Sequence, residues 1–350
     1  MTFSISDSGL NALVDEVIAS GTTVIAPAVI KLSAGERREY QKIGSAEKMA
    51  LTGAIVSNSL KPFIMPPSVP LFRYTRAKAG VSLEPAAGKA QAAVVIGAQA
   101  CDIAALEIVD RVMDWDYHDE VWFERRKATT VISLACTQAD ASCFCTAVGS
   151  GPDHPRGSDV QFLRKKGGYL ARALTETGKA FCAKYGSHFE KVGDDADRDP
   201  LIKETREKVE TNLKIDLGAI RSFLTRNFDH ELWNDFGLRC HGCGACAFAC
   251  PTCHCFDIVD EPEGITHGVR RRNWDTCQTA KFTVHASGHN PRKDQNSRIR
   301  QRVMHKFQIY PERFGDVLCT GCGRCVRVCA GGMNLLEILK VLGKSAEAKS

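Results

Sequence analysis

The chain has 350 residues, of which 44% are hydrophobic and 25% are charged, and its formal net charge is +5. This composition is typical of a soluble globular protein with room for two cores. No apolar run approaches the ~18 residues of a membrane span, and the N-terminus lacks the basic and apolar regions of a secretory signal. Sixteen cysteines in such a chain indicate metal binding in a reducing compartment. We therefore expect a cytoplasmic metalloprotein without disulfides.

The N-terminal elements begin with a helix over residues 8–20, where apolar side chains recur at helical spacing. Gly21 is expected to end this helix, and residues 22–30 form a predicted strand that is interrupted or edged by Pro27. Three prolines within residues 61–68 predict an extended, loop-like path.

A clearer pattern follows in the middle of the N-terminal half. Residues 92–97 and 130–134 are short apolar runs of the kind that buried strands need, and residues 101–113 between them have helical periodicity. Strand–helix–strand succession predicts an α/β layer with parallel pairing. Residues 1–190 are therefore predicted to form an α/β domain.

The remaining domain organisation is predicted from changes in composition. Residues 191–215 are strongly polar and are expected to form a linker and a solvated helix. Residues 216–343 contain further helical patterns, so we predict an all-α, ferredoxin-like domain that carries the motifs described next. Residues 344–350 are expected to be a frayed tail.

The strongest motif is a duplicated C-x2-C-x2-C-x3-C run, the spacing that bacterial-type ferredoxins use to bind cubane clusters. Three closely spaced thiolates surround one cluster, and the fourth points away to the other cluster. The runs therefore predict two [4Fe–4S] clusters, one bound by Cys240, Cys243, Cys246 and Cys329, and the other by Cys319, Cys322, Cys325 and Cys250. Paired zinc ribbons are the alternative, but they usually show C-x2-C pairs instead of four-cysteine runs.

The segment between Cys250 and Cys319 is longer than a compact ferredoxin of two β-hairpins requires, and helical patterns flank both runs. We therefore expect a helical two-cluster domain. Beyond the fourth cysteine, the first run continues with Pro251, whereas the second continues with Ala330. Because this proline turns the chain and is not a ligand, its absence leaves Cys329 a candidate ligand.

A third cluster site is predicted where two buried strands end. Cys101 and Cys136 each follow a predicted strand, and Cys143 and Cys145 lie in the loop after Cys136. Ligands of α/β sheets collect at this edge, and a cubane needs four thiolates. The alternative is that Cys101 and Cys136 are small buried residues at strand ends.

Several other candidate ligands have weaker spacing. Cys253, Cys255 and Cys277, together with His254, either bind iron themselves or pack near a cluster with hydrogen bonds to its sulfides, the interpretation that we favour from the sequence. Cys182 is expected in the core. The irregular spacing of His285, His289 and His305 predicts structural roles.

Two observations bear on the class of function. Basic residues concentrate between Arg270 and Arg302 without any recognised nucleic-acid module, so they are expected to solvate an insertion or to meet an acidic partner. No Gly-x-Gly-x-x-Gly motif follows a strand, and no phosphate-binding loop is present. The chain therefore has no flavin or NAD motif, which favours an electron-transfer role over catalysis.

Several motifs together resemble the iron–sulfur β subunits of cytoplasmic sulfhydrogenases and NAD(P)-linked [NiFe] hydrogenases, and the related A subunit of anaerobic sulfite reductase. The resemblance covers nearly the whole chain. The most specific segments are Cys250-Pro-Thr-Cys-His-Cys-Phe-Asp257 and His285-Ala-Ser-Gly-His-Asn-Pro-Arg292, and others are Gly97-Ala-Gln-Ala-Cys101-Asp-Ile and Arg272-Asn-Trp-Asp-Thr-Cys277.

The resemblance implies an electron conduit between a flavoprotein subunit that handles NAD(P)H and a catalytic subunit of hydrogenase, sulfur reductase or sulfite reductase type. It implies that the eight cysteines of the two runs are ligands, and that the chain is part of an oxidoreductase without being catalytic alone. Similar subunits accompany heterodisulfide-reductase-type and flavin-bifurcating complexes, so those settings stay open. A metal-stabilised nucleic-acid-binding module and a catalyst acting at the Cys101 edge are further alternatives.

Overall fold

The structure is a computed structural model that describes residues 1–33, 35–193 and 200–348. Its strands, in chain order, are β1 (Thr2–Ser6), β2 (Thr23–Leu32), β3 (Gly35–Ile43), β4 (Ser68–Ala77), β5 (Gly80–Pro85), β6 (Ala93–Gln99), β7 (Thr129–Leu134), β8 (Val160–Lys165), β9 (Gly168–Ala173), β10 (Glu190–Lys191), β11 (Phe256–Pro262) and β12 (His267–Trp274).

The helices surround these strands and dominate the C-terminal half. They are α1 (Asp7–Ala19), α2 (Lys61–Ile64), α3 (Ala100–Met113), α4 (Glu120–Lys127), α5 (Glu176–Lys184), α6 (Leu201–Asn212), α7 (Leu217–Arg226), α8 (Leu232–Arg239), α9 (Ala245–Phe248), α10 (Gln295–Met304), α11 (Tyr310–Phe314), α12 (Arg324–Arg327) and α13 (Leu335–Glu347). A π-helical turn, His305–Ile309, joins α10 to α11.

The larger sheet has eight strands in the order β10-β1-β9-β8-β7-β6-β2-β3. Its centre is parallel, because β6 pairs in parallel with β2 and with β7, and β7 pairs in parallel with β8. The predicted strand–helix–strand unit is confirmed as β6, α3 and β7. The apolar runs that indicated β6 and β7 are buried, as expected for central strands covered on both faces.

Pro27 lies inside β2, which continues past it to Leu32. The parallel pairing of β2 with β6 ends at Ile25, so the missing proline N–H removes no bond from that ladder. The prediction for residues 61–68 is only partly correct. Lys61–Ile64 forms the short helix α2, which accommodates Pro62 in its first turn because that position donates no intrahelical bond.

The smaller sheet joins the two halves of the chain. It has the order β11-β12-β4-β5, with β12 pairing antiparallel to β4. The all-α prediction for residues 216–343 therefore needs correction, since β11 and β12 lie between the two cysteine runs. The helical patterns that flank the two runs favoured an all-helical prediction. The hairpin was not predicted because the strand with which it pairs, β4, lies far away in the sequence.

The predicted linker and tail also differ from expectation in part. Residues 194–199 of the polar segment lie outside the described residues. Helix α6, expected to be solvated, buries Ile202, Thr205 and Val209 on one face. Helix α13 continues through Glu347 into the predicted tail, because buried Leu339, Leu342 and Ala346 extend its apolar face. Within the described ranges, none of the helices combines the length and the apolar character that crossing a bilayer requires.

Candidate metal centres

The first cysteine run lies in a tight loop between two helices. Cys240 caps the C-terminus of α8, and Cys246 belongs to the short helix α9. Gly242 and Gly244 between them have φ angles of 66° and 74°, a region that residues with a Cβ rarely adopt. These two glycines allow the chain to fold back so that its thiols face one space.

That space is a surface cavity of about 560 Å³. Its lining includes the four thiols predicted for one cluster: Cys240, Cys243, Cys246 and Cys329. Three come from the first run and the fourth from the end of the second run, as the spacing predicts. Cys243 is exposed, whereas the other three are half-buried, so this centre lies at the protein surface.

The second predicted ligand set lies deeper than the first, because three of its four thiols are buried and Cys322 is half-buried. Cys319, Cys325 and Cys250 are each 7–8% exposed. Cys319, Cys322 and Cys325 all lie close enough to Cys250 for a thiolate charge on Cys250 to raise their pKa values. Burial raises the pKa of Cys319 to about 12, so this thiol needs a bound metal to become a thiolate at neutral pH. The structure thus brings the second predicted ligand set together around Cys250.

The surroundings of the second run fit an iron–sulfur cluster. The Thr320 hydroxyl is buried and has no hydrogen-bond partner within the described residues. Buried donors are normally paired, and the sulfides of a cluster accept hydrogen bonds. The described residues contain no group of three Cys, His, Asp or Glu side chains that converges on a single metal ion. The four ligands of a cubane bind four different irons and therefore surround a cavity.

Three buried cations lie beside these thiols. Lys306 donates from Nζ to Cys250 Sγ at 3.5 Å and to Leu318 O at 2.8 Å, and Arg302 donates to Cys253 Sγ at 3.2 Å. Lys61 donates to Ala247 O at 3.2 Å. Although burial opposes its charge, the neighbouring thiols raise the pKa of Lys306. Among the described residues none of the three cations pairs with a carboxylate, so their counter-charge has to come from thiolates or from what the thiolates bind.

The predicted third ligand set also comes together in the structure. Cys101 lies in the first turn of α3 after β6, and Cys136 follows β7, at the carboxyl ends of two neighbouring parallel strands. These ends share one sheet edge. A cavity of about 410 Å³ at this edge is lined by five thiols: Cys101, Cys136, Cys143, Cys145 and Cys322. Burial raises the pKa of both Cys136 and Cys145 to about 12.

The loop that carries Cys143 and Cys145 packs directly against the second run. Phe144 N donates to Gly321 O at 2.8 Å. A Cβ on Gly321 would lie 2.5 Å from the backbone of Cys145, so only glycine permits this approach. Cys101 and Cys322 line the same cavity, and the neighbouring Cys101 thiol lowers the pKa of Cys322. The third site therefore adjoins the second run.

A buried ion pair joins the same two regions. Arg324, inside the second run, donates to both oxygens of Asp102 at 2.7 and 2.8 Å, and Tyr40 donates to Asp102 at 2.8 Å. Arg324 and Asp102 are 2% and 0% exposed in their side chains. Sequence reasoning missed this pair. The available signal was an arginine placed between two predicted ligands, Cys322 and Cys325, although its partner was not identifiable.

The remaining candidates are separated by the structure. Cys182 is buried in the core of the larger sheet, as predicted. His285 and His289 contact each other, with ring centroids 5.3 Å apart, in an exposed loop. His305 instead faces His254 across 5.6 Å, beside Cys253, Cys255 and Cys277, which line one further cavity.

The basic segment between Arg270 and Arg302 is partly neutralised by the protein itself. Four of its seven arginines pair with acidic side chains: Arg270 with Asp260, Arg271 with Glu261, Arg272 with Asp119 and Arg300 with Asp229. Side chains committed to such pairs present little free positive charge to a phosphate backbone. This arrangement weakens the nucleic-acid alternative.

Comparison with known proteins agrees with this geometry. Residues 239–333, which contain both runs, match the family described as a 4Fe-4S dicluster domain. The chain is also similar to the sulfhydrogenase 2 subunit beta of Pyrococcus furiosus, with 29% identity over 248 residues that cover 70% of this chain and 72% of the relative. These similarities confirm the resemblance to a sulfhydrogenase β subunit that the sequence motifs indicate.

Proposed function

We propose that this chain is the electron-transfer iron–sulfur subunit of a multi-subunit cytoplasmic oxidoreductase. The observation that carries the proposal is the adjacency of the thiol-lined sites. The second ligand set takes Cys250 from the end of the first run, so the first two sets adjoin. Another of its members, Cys322, also lines the cavity of the third set. Such a succession, from the exposed Cys243 into the interior, suits electron transfer between partners better than binding of a substrate.

Three ligand sets in this chain fit [4Fe–4S] clusters under this proposal. Cys240, Cys243, Cys246 and Cys329 would hold the first cluster, Cys319, Cys322, Cys325 and Cys250 the second, and Cys101, Cys136, Cys143 and Cys145 the third. The first and third sets each line one cavity, and the thiols of the second set lie close enough together for their charges to interact when they are deprotonated. The donor chemistry is that of cubane clusters, which are bound by four thiolates.

A [4Fe–4S] cluster, when bound, accepts and releases one electron, at a potential that the surrounding protein sets. The chain contributes burial at the second ligand set, a hydrogen bond from Lys306 to the Cys250 thiol, and the buried positive charge of Arg302. Positive charge near a cluster favours its reduced, more negative state. Lys306 and Arg302 are therefore expected to give the second cluster a higher reduction potential than the same cluster would have without these two cations.

The partners are proposed from the relative and from the surface of the first site. Because the similar protein is a sulfhydrogenase subunit, we infer a flavoprotein subunit that handles NAD(P)H and a catalytic subunit of hydrogenase, sulfur reductase or sulfite reductase type. Cys243 is exposed, which suits electron exchange with a partner docked there. A heterodisulfide-reductase-type or flavin-bifurcating complex is the second setting in which such a subunit would serve. We propose that the chain is not catalytic alone.

Anaerobic purification followed by iron and acid-labile sulfide analysis tests this function. A matched pair of serine double variants separates the sites: Cys136→Ser/Cys145→Ser should lose about four irons, and Cys240→Ser/Cys243→Ser should lose about four others. Each variant should retain the electron paramagnetic resonance (EPR) signals of the sites it leaves intact. A protein with near-stoichiometric zinc and no reducible iron would contradict the proposal.

The electron-transfer role needs a second measurement, because iron content alone does not show it. Partners identified by co-purification from the native host should include a flavoprotein, and NAD(P)H should reduce the clusters only in its presence. Reduction of the isolated chain by NAD(P)H, or substrate turnover by the isolated chain with an artificial electron donor, would refute the proposed division of labour.

A further inference from the structure

Three cysteines outside the two runs and the sheet-edge site form a separate group. Cys253, Cys255 and Cys277 line a cavity of about 250 Å³, together with His254 and His305. All three thiols are half-buried, and the cavity also receives Arg302 and Lys306. None of these three thiols belongs to a ligand set already proposed.

The fold explains why these residues meet. Cys255 directly precedes β11 and Cys277 follows β12, and the first residue of β11, Phe256, pairs with Trp274 at the end of β12. Asp275 N donates to Cys255 O at 3.1 Å and extends this ladder beyond the strands. The hairpin therefore closes next to the thiols. Cys253 and Cys255 lie in the loop just before β11, and both line the cavity together with Cys277.

Hydrogen-bond donors point at two of the three thiol sulfurs. Arg302 donates to Cys253 Sγ at 3.2 Å, and Gln278 donates from Nε2 to Cys277 Sγ at 3.4 Å. Cys255 and Cys277 lie at the two ends of the same hairpin and line the cavity together. Donors that point at sulfur stabilise thiolates, and they orient ligands around bound metals.

An imidazole is available for a fourth ligand. His254 Nδ1 donates its proton to Thr252 O at 3.0 Å, so Nε2 carries the lone pair and is free to bind a metal. This arrangement, one ring nitrogen held by a backbone carbonyl and the other presented, is common among histidines that bind metals. The ring of His305 lies next to it, 5.6 Å away between centroids.

The buried charge around the cavity favours an anionic occupant. Arg302 and Lys306 are 5% and 2% exposed and line the cavity, and Lys61 Nζ reaches Cys253 O at 3.2 Å. No carboxylate of the described residues pairs with these three cations. Unpaired buried cations are costly, and a thiolate-bound cluster carries the negative charge that would balance them.

We propose that Cys253, Cys255, Cys277 and His254 bind a fourth [4Fe–4S] cluster, held between the two clusters of the cysteine runs. Cys253 follows Cys250 of the second set by three residues, and Arg302 donates both to Cys253 Sγ at 3.2 Å and to the carbonyl oxygen of Cys246, of the first set, at 3.1 Å. The site rests on the proposed function, because it requires a chain that is loaded with iron and sulfide. The proposed cluster would lie beside both cysteine runs, on the side of the β11–β12 hairpin.

The test compares the full chain, purified anaerobically, with the Cys255→Ser/Cys277→Ser double variant and with Cys182→Ser as the matched control. Iron, zinc and acid-labile sulfide per chain are measured, together with EPR spectra of the reduced protein. The double variant should lose about four irons and four sulfides and one EPR signal, and Cys182→Ser should lose none. Unchanged iron in the double variant, or loss of one zinc, overturns the fourth cluster.

The outcome is distinguishable from failure of the proposed function, which would leave the wild-type chain without reducible iron. If the double variant fails to fold and loses all its iron, His254→Cys decides, because it retains four ligands. Replacing imidazole by thiolate should lower the reduction potential of one cluster and leave the others unchanged, since imidazole ligation raises such potentials. Spectra and potentials identical to those of the wild type would refute the assignment.

Discussion

The two cysteine runs have the same spacing but lie in opposite environments. The first run surrounds a surface cavity in which Cys243 is exposed, whereas Cys319 and Cys325 of the second run are buried. The loop of residues 142–145 covers the second run, with its backbone against Gly321. Spacing therefore determines which thiols come together, and packing from distant parts of the chain determines how each centre meets solvent.

The residues between the predicted ligands also differ between the two runs. At equivalent positions the first run has Ala245 and Phe248, and the second has Arg324 and Arg327. Both arginines form ion pairs with the α/β region, with Asp102 and Asp140 respectively. The second run is thereby anchored to the N-terminal half of the chain, whereas the described part of the structure shows no ion pair that anchors the first run in this way.

The largest expected effect comes from a matched pair of glycine variants. Gly321→Ala should abolish cluster binding at the second run and lose at least four irons, because its Cβ would meet the backbone of Cys145 at 2.5 Å. Gly242→Ala should keep its iron, since its Cβ would meet only the end of the Gln295 side chain. Its cost should be the ~1–2 kcal/mol of a left-handed backbone. Iron analysis and thermal unfolding are carried out on both variants. Equal loss of iron from the two variants would show that the two runs do not differ in how tightly they are packed.

Chelation should separate the two centres in time. With a ferrous chelator under mild oxidation, iron should leave in two phases, the first of about four irons from the exposed centre. The buried thiols of the second run should protect their cluster because they have little contact with solvent. Cys243→Ser should remove the fast phase. A single phase that includes all the iron would show that exposure does not distinguish the centres.

Breaking the buried anchor should destabilise the protein more than breaking the half-exposed one. Asp102→Asn leaves the Arg324 charge buried and unpaired, which should cost about 3–5 kcal/mol. Asp140→Asn removes a pair whose side chains are 23% and 42% exposed, and should cost less than about 1 kcal/mol. Denaturant unfolding of the anaerobic protein, followed by circular dichroism, compares them. Equal costs would show that burial does not distinguish the two anchors.

The smallest effect is expected on a reduction potential. Lys306→Met removes a buried positive charge from Cys250 and should lower the potential of the second cluster by on the order of 100 mV, from Coulomb energies at an intermediate dielectric. Lys340→Met, on the exposed side of α13, should leave all potentials unchanged. Potentiometric titration followed by EPR tests this, and a shift of the first cluster instead would reassign Lys306.

Local sequence patterns predicted much of this molecule. The apolar runs of β6 and β7 and the helical period of α3 placed Cys101 and Cys136 at one sheet edge, because these features depend on neighbouring residues. The cysteine spacing predicted which four thiols line the first cavity. The first prediction depends on patterns within about thirty neighbouring residues. The second depends on the spacing of a repeated motif.

The features that sequence reasoning missed are non-local. Arg324 and Asp102 are 222 residues apart in the chain, and neither neighbourhood indicates the other. The hairpin of β11 and β12 was missed because its strands are stabilised by pairing with β4, and cross-strand pairing is not encoded in a short window. The grouping of Cys253, Cys255 and Cys277 depends on that same hairpin.

The pairing of β4 with β12 has a consequence for biosynthesis. The smaller sheet cannot close until the ribosome has released the whole segment between Ala77 and His267. The second run is synthesised later still, so its thiols emerge after the first run has already been exposed to the cell. The full set of thiols is therefore available only once Cys329 has emerged, and a truncated C-terminal fragment would present β12 as an open edge prone to aggregation.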